Sequence, residues 1–548
     1  MRRTVLYLII IFSFIHFSCQ KSVQENPNQV VIGISSDIET LSPVYAFNLN
    51  EGVIMDLMYL SMFQPKWNAE KSNLELAPLL AKNWEWNQDS TSVTVNLRDD
   101  VYWSDSVKFT AQDVIFTFDL YSDPDVQSRF YGMFQNFYQD KNLHIDVNKT
   151  FEALSSYKLK INFIKKSSPD LFELACPILP KHIYEKYDRK KLSSADLSTN
   201  PVIDGPFKLY KWEKGQSIIL SANDKSFLHK PGTIDRLIFK VVPDYNSRLT
   251  QLKNGEIDVM ESIRPEDKND LGKNINIVPV KGREYEYLGW NNISTDEYAK
   301  GKIVQNKLFG DKNVRMALTH AIDRKEILDE YLQGSGQIAV SSVSPIFKNY
   351  IDSTITPYDY NIDKAKTLLA QEGWKDSDND GVLDKGGMKF SFTLNIPSGN
   401  PRRDYEATII KNNLKEIGIQ VDVQTIEPST FFDELYKKKF NAWIAGFIIP
   451  LPMSLKPFWN SDIQSNIFNV ANYQNKQADN IMDQLEERIS EKERIELYKK
   501  FENIMHEDQP VTFMFWLDDA VGYNKRIKNI DIDPLGVVQY CWNWRVTN

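Results

Sequence analysis

The chain has 548 residues, more than one hydrophobic core usually serves, so two or three lobes of ordinary domain size are expected. A hydrophobic fraction of 42% and a charged fraction of 25% are typical of a folded soluble protein and exclude intrinsic disorder. The formal net charge of -9, without any basic stripe, argues against a nucleic-acid-binding surface.

The N-terminus has the pattern of an export signal. Two arginines precede an apolar run over residues 5–17, which is too short to span a bilayer as a helix. The run ends in Phe-Ser-Cys-Gln, which resembles a bacterial lipobox around Cys19, although His16 stands where a lipobox prefers leucine. We expect a signal peptide over residues 1–18, lipidation of Cys19 and a polar tether over residues 19–29; plain secretion and an uncleaved anchor are the alternatives.

Predicted strands and helices then alternate along the chain. Residues 92–97 (SVTVNL) carry apolar side chains at every second position, which predicts a half-buried strand. Residues 110–113 (TAQD) resemble a capping box and predict a helix that ends at about Tyr121. Two further strands are predicted over residues 217–221 and 237–242.

The second half continues the alternation. A short helix over residues 245–253 is ended by Asn-Gly, and a strand is predicted over residues 256–260. Asp311 caps the next predicted helix, and Asp323 begins another with a glutamate three residues later. The closing helix covers residues 491–506. This alternation predicts the α/β class.

Two cysteines remain once Cys19 is assigned to lipidation. An exported protein could form a disulfide between Cys176 and Cys541. Two cysteines so far apart give no disulfide framework, so buried free thiols are the prediction.

Sequence motifs of catalysis are missing. The sequence has no Gly-x-Ser-x-Gly elbow, phosphate loop or His-Glu-x-x-His motif, and residues 334–336 (GSG) do not continue as a dinucleotide fingerprint. The histidines after the signal peptide lie far apart. We therefore expect neither an enzyme nor a cofactor.

One acidic segment has the spacing of a calcium loop. Asp376, Asp378, Asp380 and Asp384 take the first, third, fifth and ninth positions, with glycine at the sixth. The twelfth position is Gly387 and not the usual bidentate glutamate. A weak calcium site and an exposed acidic turn are the two interpretations; the turn is favoured, so no metal is expected.

Five segments in a fixed order carry a resemblance that covers nearly the whole chain after the signal. They are residues 39–43 (ETLSP), residues 76–81 (LAPLLA) with 93–118 (including NLRDDVYW and FTAQDV), residues 205–209 (GPFKL), residues 313–324 (NVRMALTHAIDR) and residues 494–510. Together these segments resemble the family 5 extracellular solute-binding proteins, which include oligopeptide-, dipeptide- and nickel-binding proteins of ABC importers.

The resemblance implies an α/β, two-lobed periplasmic-binding-protein fold of type II, similar to cluster C, with an extra subdomain inserted in lobe one. Lobe one would combine residues 30–50, 201–282 and 511–548, the inserted subdomain residues 51–200, and lobe two residues 283–510. The chain would cross between the lobes twice, and both crossings would act as hinges.

The resemblance also implies ligand contacts. Trp443 and Phe447 lie in a segment that faces ligand in peptide-binding relatives, and Tyr45 and Asn291 occupy places that look toward ligand in the family. Core, turn or edge packing is the alternative for each. Oligopeptide-binding relatives have an acidic residue just after this segment, but residues 448–450 here read Ile-Ile-Pro. A charged peptide amino terminus would therefore be held elsewhere, or the ligand is not a peptide.

The implied function is that of a solute-binding lipoprotein, without enzymatic activity, on the periplasmic face of a bacterial membrane. It would capture oligopeptide-like ligands between its lobes, deliver them to an ABC permease with its ATPase, attach to the membrane through the lipid anchor, act as a monomer and bind no nucleic acid. The alternatives are a sensing or partner-binding lipoprotein without transport, and a binder of a non-peptide solute such as a metal chelate or a sugar.

Overall fold

The computed structural model describes residues 28–164, 171–487 and 489–547. The predicted signal peptide, Cys19 and nearly all of the tether lie outside the described residues. Within those ranges, none of the helices combines the length and the apolar character needed to cross a bilayer.

Strands and helices alternate along the described chain, as the sequence predicts. The β-strands are β1 (Gln29–Ile34), β2 (Phe63–Asn68), β3 (Asn73–Pro78), β4 (Ala81–Trp86), β5 (Ser92–Leu97), β6 (Phe151–Ser155), β7 (Lys158–Asn162), β8 (Phe207–Glu213), β9 (Ser217–Ala222), β10 (Arg236–Val241), β11 (Val259–Met260), β12 (Ile275–Val280), β13 (Glu284–Trp290), β14 (Gly336–Ile338), β15 (Asp384–Lys385), β16 (Met388–Lys389), β17 (Ser391–Pro397), β18 (Gln420–Ile426), β19 (Ala442–Ile448), β20 (Val511–Leu517), β21 (Asp519–Asn524), β22 (Ile527–Lys528) and β23 (Arg545–Val546). The α-helices are α1 (Leu49–Met58), α2 (Ala111–Ser122), α3 (Val147–Thr150), α4 (Lys181–Tyr184), α5 (Tyr245–Asn254), α6 (Thr295–Tyr298), α7 (Lys312–His320), α8 (Arg324–Glu326), α9 (Ile362–Gln371), α10 (Pro401–Glu416), α11 (Pro428–Tyr436), α12 (Lys456–Trp459), α13 (Lys476–Leu485) and α14 (Glu491–Asp508).

The capping residues begin their helices as the sequence predicts. Thr110 forms a complete capping box with Asp113 at the start of α2, and the Asp311 side chain accepts a hydrogen bond at the start of α7. Gly255 ends α5 in the left-handed conformation, with φ of 77°. The strand predicted over residues 256–260 is shorter than predicted. The backbone amides of residues 256 and 257 both donate to the carbonyl oxygen of Gln251, so only Val259–Met260 (β11) pairs with neighbouring strands.

The first lobe is built on a seven-stranded sheet in the order β12-β21-β11-β1-β10-β9-β8. Strands β1, β10 and β11 run parallel, and the other pairings are antiparallel. A four-stranded antiparallel sheet, β4-β5-β7-β6, and the β2–β3 hairpin stand between β1 and β8 in the chain. One continuous apolar core joins this inserted region to the seven-stranded sheet.

The second lobe is built on a six-stranded sheet in the order β14-β20-β13-β19-β17-β18. Its two faces bury separate apolar cores. Strand β20 pairs with β13 and β14 in this sheet, and β21 pairs with β11 and β12 in the first. The predicted start of the last lobe-one segment at residue 511 is therefore corrected to residue 518.

The two cysteines of the described chain, Cys176 and Cys541, are buried and free, as the sequence predicts. Burial raises the pKa of the Cys176 thiol to about 12 and that of Cys541 further still. Neither thiol is poised for reaction.

The two segments that cross between the lobes run against each other. Residues 281–283 lead from β12 to β13, and Asp518 leads from β20 to β21. A Cβ atom on Gly282 would lie 1.6 Å from the carbonyl oxygen of Leu517, and Lys281 Nζ lies 2.6 Å from Asp518 Oδ2. Only glycine permits this approach of one backbone to the other.

We predict that Gly282→Ala lowers the free energy of unfolding by about 1–3 kcal/mol, because the added methyl must push the crossings apart. Urea unfolding measures the change. Gly52→Ala in α1 is the control, since its methyl would meet no atom closer than 3.7 Å and should raise helix stability by about 0.5–1 kcal/mol. Equal effects of the two substitutions would contradict the prediction.

Candidate functional site

The candidate site is the space between the two sheet edges from which the chain crosses. In the first lobe, Ile34 pairs with Val241 at the carboxyl ends of β1 and β10, and the crossing residues adjoin the Val280–Asp519 pair at the same edge. In the second lobe, β17, β18 and β19 run parallel and end beside the start of β13. Ligands of open α/β sheets bind beyond the carboxyl ends of the strands.

Large apolar side chains are exposed at both edges. Phe47 and Leu49, at the start of α1, are 71% and 75% exposed, and Ile448 at the end of β19 is 60% exposed. Phe468 is 39% exposed and lies in the second lobe. Apolar side chains that line the space between two lobes are candidates for ligand contact.

An aromatic cluster connects the second-lobe edge to the core. Phe447 is half-buried and stacks on Tyr287, with ring centroids 5.5 Å apart and an interplanar angle of 18°. Its ring also meets the edge of Phe458 at 5.0 Å, and Phe458 lies 5.8 Å from Phe468. Phe447 thus stands where the core meets the cleft, and its predicted ligand contact stays a prediction.

Trp443 is in the core, so its prediction as a cleft residue is wrong. The side chain is fully buried, and its ring fills the space beside Gly289, where a Cβ atom would lie 2.1 Å from it. Its Nε1 donates to the hydroxyl of Tyr287 at 3.4 Å. Trp443 and Phe447 share one face of β19, but only the last residues of the strand reach the cleft.

Asn291 is also misplaced by the sequence prediction. It follows Trp290, which pairs with Ala442 at the start of β19 and therefore lies at the edge away from the crossings. Its fully buried amide donates to the carbonyl oxygen of Phe440 at 3.0 Å and accepts from Asn472 Nδ2 at 2.9 Å. This residue holds loops together.

Tyr45 lies in the loop that carries Phe47. Its ring is half-buried against the first-lobe core, and its hydroxyl donates to the carbonyl oxygen of Val126 at 3.0 Å. Burial raises its pKa. Tyr45 anchors this loop, while its predicted contact with ligand stays a prediction.

A buried charge cluster lies beneath the second-lobe edge. Arg402 and Arg403 begin α10 and enclose Glu286, with Arg403 Nε 2.5 Å from Oε1 and Arg402 Nη2 2.9 Å from Oε2. Glu406 lies 3.4 Å from Arg402, and both its carboxylate oxygens lack a hydrogen-bond partner. Gly446 makes room for the cluster, because a Cβ atom there would lie 2.8 Å from Glu286.

The cluster shifts the pKa values of Glu286 and Glu406 in opposite directions. Burial pushes the pKa of Glu286 upward, but the charges of Arg402 and Arg403 outweigh burial, so the pKa falls below the ordinary value. Burial and the charge of Glu286 raise the pKa of Glu406 to about 8. Glu406 is therefore mostly protonated at neutral pH, and the rest of the buried group keeps its ion pairs.

The lobes also touch away from the crossings. Trp67, on the β2–β3 hairpin, meets Phe347 of the second lobe edge to face at 5.6 Å. Asn349 Nδ2 donates to the carbonyl oxygen of Lys71 at 3.1 Å. Lys268 Nζ donates to Ser335 Oγ at 2.7 Å. The hairpin and Lys268 therefore both connect the lobes away from the crossings.

The carboxylates of the acidic loop, residues 376–384, bond to groups of this chain. Asp376, Asp378 and Asp384 do place oxygens within 4.8 Å of one another. The ammonium of Lys389, however, lies 2.6 Å from Asp378 and 2.9 Å from Asp380. Asp384 accepts from Ser377, and Asp376 accepts from the loop backbone. This arrangement favours the acidic turn over a calcium site.

The sequence prediction missed Phe47 and Leu49. A signal was present: Phe47 precedes the N-cap Asn48, a position whose apolar side chain usually packs on the fourth helical residue. That residue is Gly52, which offers no side chain. An apolar residue without its local partner is thus left exposed.

Two lobes, two crossings and a cleft with apolar edges define a two-lobed solute-binding protein. The protein-family model described as "Bacterial extracellular solute-binding proteins, family 5 Middle" matches residues 75–469 of this chain. The chain therefore belongs to family 5 of the bacterial extracellular solute-binding proteins, which are binding proteins and not enzymes. The resemblance and the two-lobed fold predicted from the sequence are confirmed.

Individual relatives agree with this assignment. The oligopeptide-binding protein AppA of Bacillus subtilis (strain 168) is 31% identical over 474 residues, which covers 85% of this chain and 82% of the relative. The structure of that AppA with a nonapeptide has a TM-score of 0.73 at 28% identity and covers 95% of this chain and 99% of that chain. NikZ from Campylobacter jejuni in complex with Ni(L-His) has a TM-score of 0.74 at 27% identity, with the same coverage.

We predict that Glu406→Gln flattens the pH dependence of stability. The raised pKa of Glu406 means that the folded state holds its proton more tightly than the unfolded state, so stability falls as pH rises from about 4.5 to about 8. Glu284 also has a pKa raised by burial and adds to this slope, whereas Glu286 acts only at lower pH. Urea unfolding at pH 5 and pH 8 should show a loss at least about 1 kcal/mol smaller in the variant than in the wild type.

The control for this substitution is Glu152→Gln, which alters an exposed side chain. The control should keep the wild-type pH dependence. If Glu406→Gln keeps it too, the raised pKa of Glu406 is refuted.

Proposed function

We propose that this protein captures oligopeptide-like solutes in the cleft and delivers them to an ABC permease with its ATPase, as a monomeric lipoprotein anchored through Cys19 in the cell envelope. One observation carries the proposal: exposed apolar side chains stand on both sheet edges beside the crossings. Phe47 and Leu49 belong to one lobe, and Ile448 and Phe468 to the other. A ligand that contacts both pairs stabilises the closed arrangement of the lobes.

The chemistry of these edges fits a peptide with apolar side chains. Apolar and aromatic surfaces give affinity without demanding one side-chain shape, and backbone groups at strand ends supply hydrogen bonds to an extended main chain. The named relatives agree, since AppA of Bacillus subtilis is an oligopeptide-binding protein whose structure holds a nonapeptide.

A carboxylate for the peptide amino terminus is available on the strand next to β19. Glu284 pairs with Ile448 across the β13–β19 ladder, and its side chain is 40% exposed. Burial and repulsion from Glu286 raise its pKa, so an added positive charge would be favourable there. Glu284 would thus replace the acidic residue that residues 448–450 lack.

Closure can supply the required affinity without chemistry. A micromolar dissociation constant corresponds to about 8 kcal/mol, which a desolvated apolar cleft provides. The ligand shifts the lobes toward the closed form only by its preference for that form. The protein would therefore carry the solute and would not convert it.

The first test identifies the ligand. Native mass spectrometry of protein purified from its own host should find bound peptides, because a closed cleft retains its ligand. Buffer-exchanged protein refolded from urea is the control and should be empty. A bound sugar, haem or metal chelate would overturn the peptide assignment and leave the solute-binding class intact.

The second test separates cleft from core. Phe468→Ala should weaken binding of the co-purified peptide about tenfold, which corresponds to about 1.4 kcal/mol of lost apolar contact, and should lower the free energy of unfolding by no more than about 1 kcal/mol. Isothermal titration calorimetry and urea unfolding measure the two effects.

Trp443→Ala is the matched variant. Because Trp443 is fully buried, its truncation should cost about 3–5 kcal/mol of stability. The cleft assignment fails if Phe468→Ala destabilises the protein as much as Trp443→Ala does, or if it leaves the peptide affinity unchanged.

A further inference from the structure

A second cavity lies in the first lobe, outside the interlobe cleft. Its volume is about 400 Å³, at the small end of the range for sites that hold small molecules. Three parts of the chain form its wall: the β2–β5 region, the loop between β9 and β10, and the C-terminal segment. The lining residues are Gln64, Pro78, Leu79, Ala81, Lys82, Arg98, Phe227, Leu228, Lys230, Tyr540, Trp542 and Asn543.

This cavity is at the end of the first lobe away from the crossings. Residues 227–230 belong to the loop that enters β10 at Arg236, and Arg236 pairs with Gln29 at the start of β1. The crossings adjoin the opposite ends of these strands. Within residues 28–164, 171–487 and 489–547, no second-lobe residue lines the cavity, so its occupation does not require the lobes to close.

The lining is cationic. Lys82, Arg98 and Lys230 contribute three positive charges, and none of the described residues adds a carboxylate to the wall. Lys82 pairs with Asp99, and Arg98 pairs with Asp100 at 2.6 Å.

Lys230 differs from the other two cations. Its ammonium donates to Asn543 Oδ1 at 3.0 Å and has no carboxylate within ion-pair distance in the described part of the chain. Lys230 therefore brings to the cavity a positive charge that no described carboxylate neutralises.

Aromatic rings form the rest of the wall. The Arg98 guanidinium lies 3.9 Å from the ring centre of Phe227, and Tyr540 meets Trp542 edge to face at 5.7 Å. Burial, with Asp533 and Asp531 nearby, raises the pKa of Tyr540 to about 12. An anionic group would be placed toward Lys230, because no described carboxylate neutralises that cation.

We propose that this cavity binds a small aromatic carboxylate, with its anionic group at Lys230 and its ring against Phe227, Leu228 and Trp542. The charge of Lys230 selects the carboxylate, and the apolar wall selects the flat ring. The described residues that line the cavity all belong to the first lobe, so this ligand is distinct from the solute carried in the cleft.

The test uses the full-length protein and two matched probes, indole-3-acetate and neutral indole-3-acetamide. Isothermal titration calorimetry should show that the carboxylate binds at least tenfold more tightly than the amide. Lys230→Gln should weaken carboxylate binding at least fivefold and leave amide binding unchanged. Circular dichroism checks that the variant folds.

Lys225→Gln is the control, because Lys225 lies in the same loop but outside the cavity wall, where it donates to Ser106 Oγ. It should bind both probes as the wild type does. The proposal is overturned if the wild type binds the two probes with equal affinity. It is also overturned if Lys230→Gln binds the carboxylate as tightly as the wild type does, or if Lys225→Gln loses as much carboxylate affinity as Lys230→Gln. Displacement of the probe by the cleft peptide also overturns it, and none of these results bears on peptide capture itself.

Discussion

The contact between the two crossing segments constrains everything else in this molecule. Gly282 and Leu517 bring two backbones together where the lobes join, and the rest of each crossing is only a few residues long. Short, mutually packed connections leave the lobes few ways to move relative to each other. The same contact aligns the strand ends of both sheets and thereby decides which residues can reach a ligand.

Near that junction, apolar and charged side chains differ in their exposure to solvent. Apolar side chains such as Phe47 and Ile448 are left exposed, while Glu286 is enclosed by two arginines and fully buried. Paired charges under the surface fix the position of α10 without offering their charge to a ligand. Glu284, 40% exposed on the same edge, is the carboxylate of this group that stays open to solvent.

Much of the fold could be predicted from local signals. Strand β5 and the capped starts of α2 and α7 follow from alternation and side-chain caps, because these depend on neighbours in the sequence. The placements of Trp443 and Asn291 failed for a different reason. Distance from the cleft depends on how far along a strand a residue lies, and that is set by pairing with strands that are remote in sequence.

The β2–β3 hairpin contributes to how the two lobes are held together. Trp67 and Lys71 contact the second lobe directly, through Phe347 and Asn349. Part of the free energy that favours this arrangement of the lobes is therefore intrinsic to the polypeptide, and a solute shifts the arrangement only by the preference that it adds. Substitutions at the hairpin tip would then alter the balance between lobe arrangements without any change at the sheet edges.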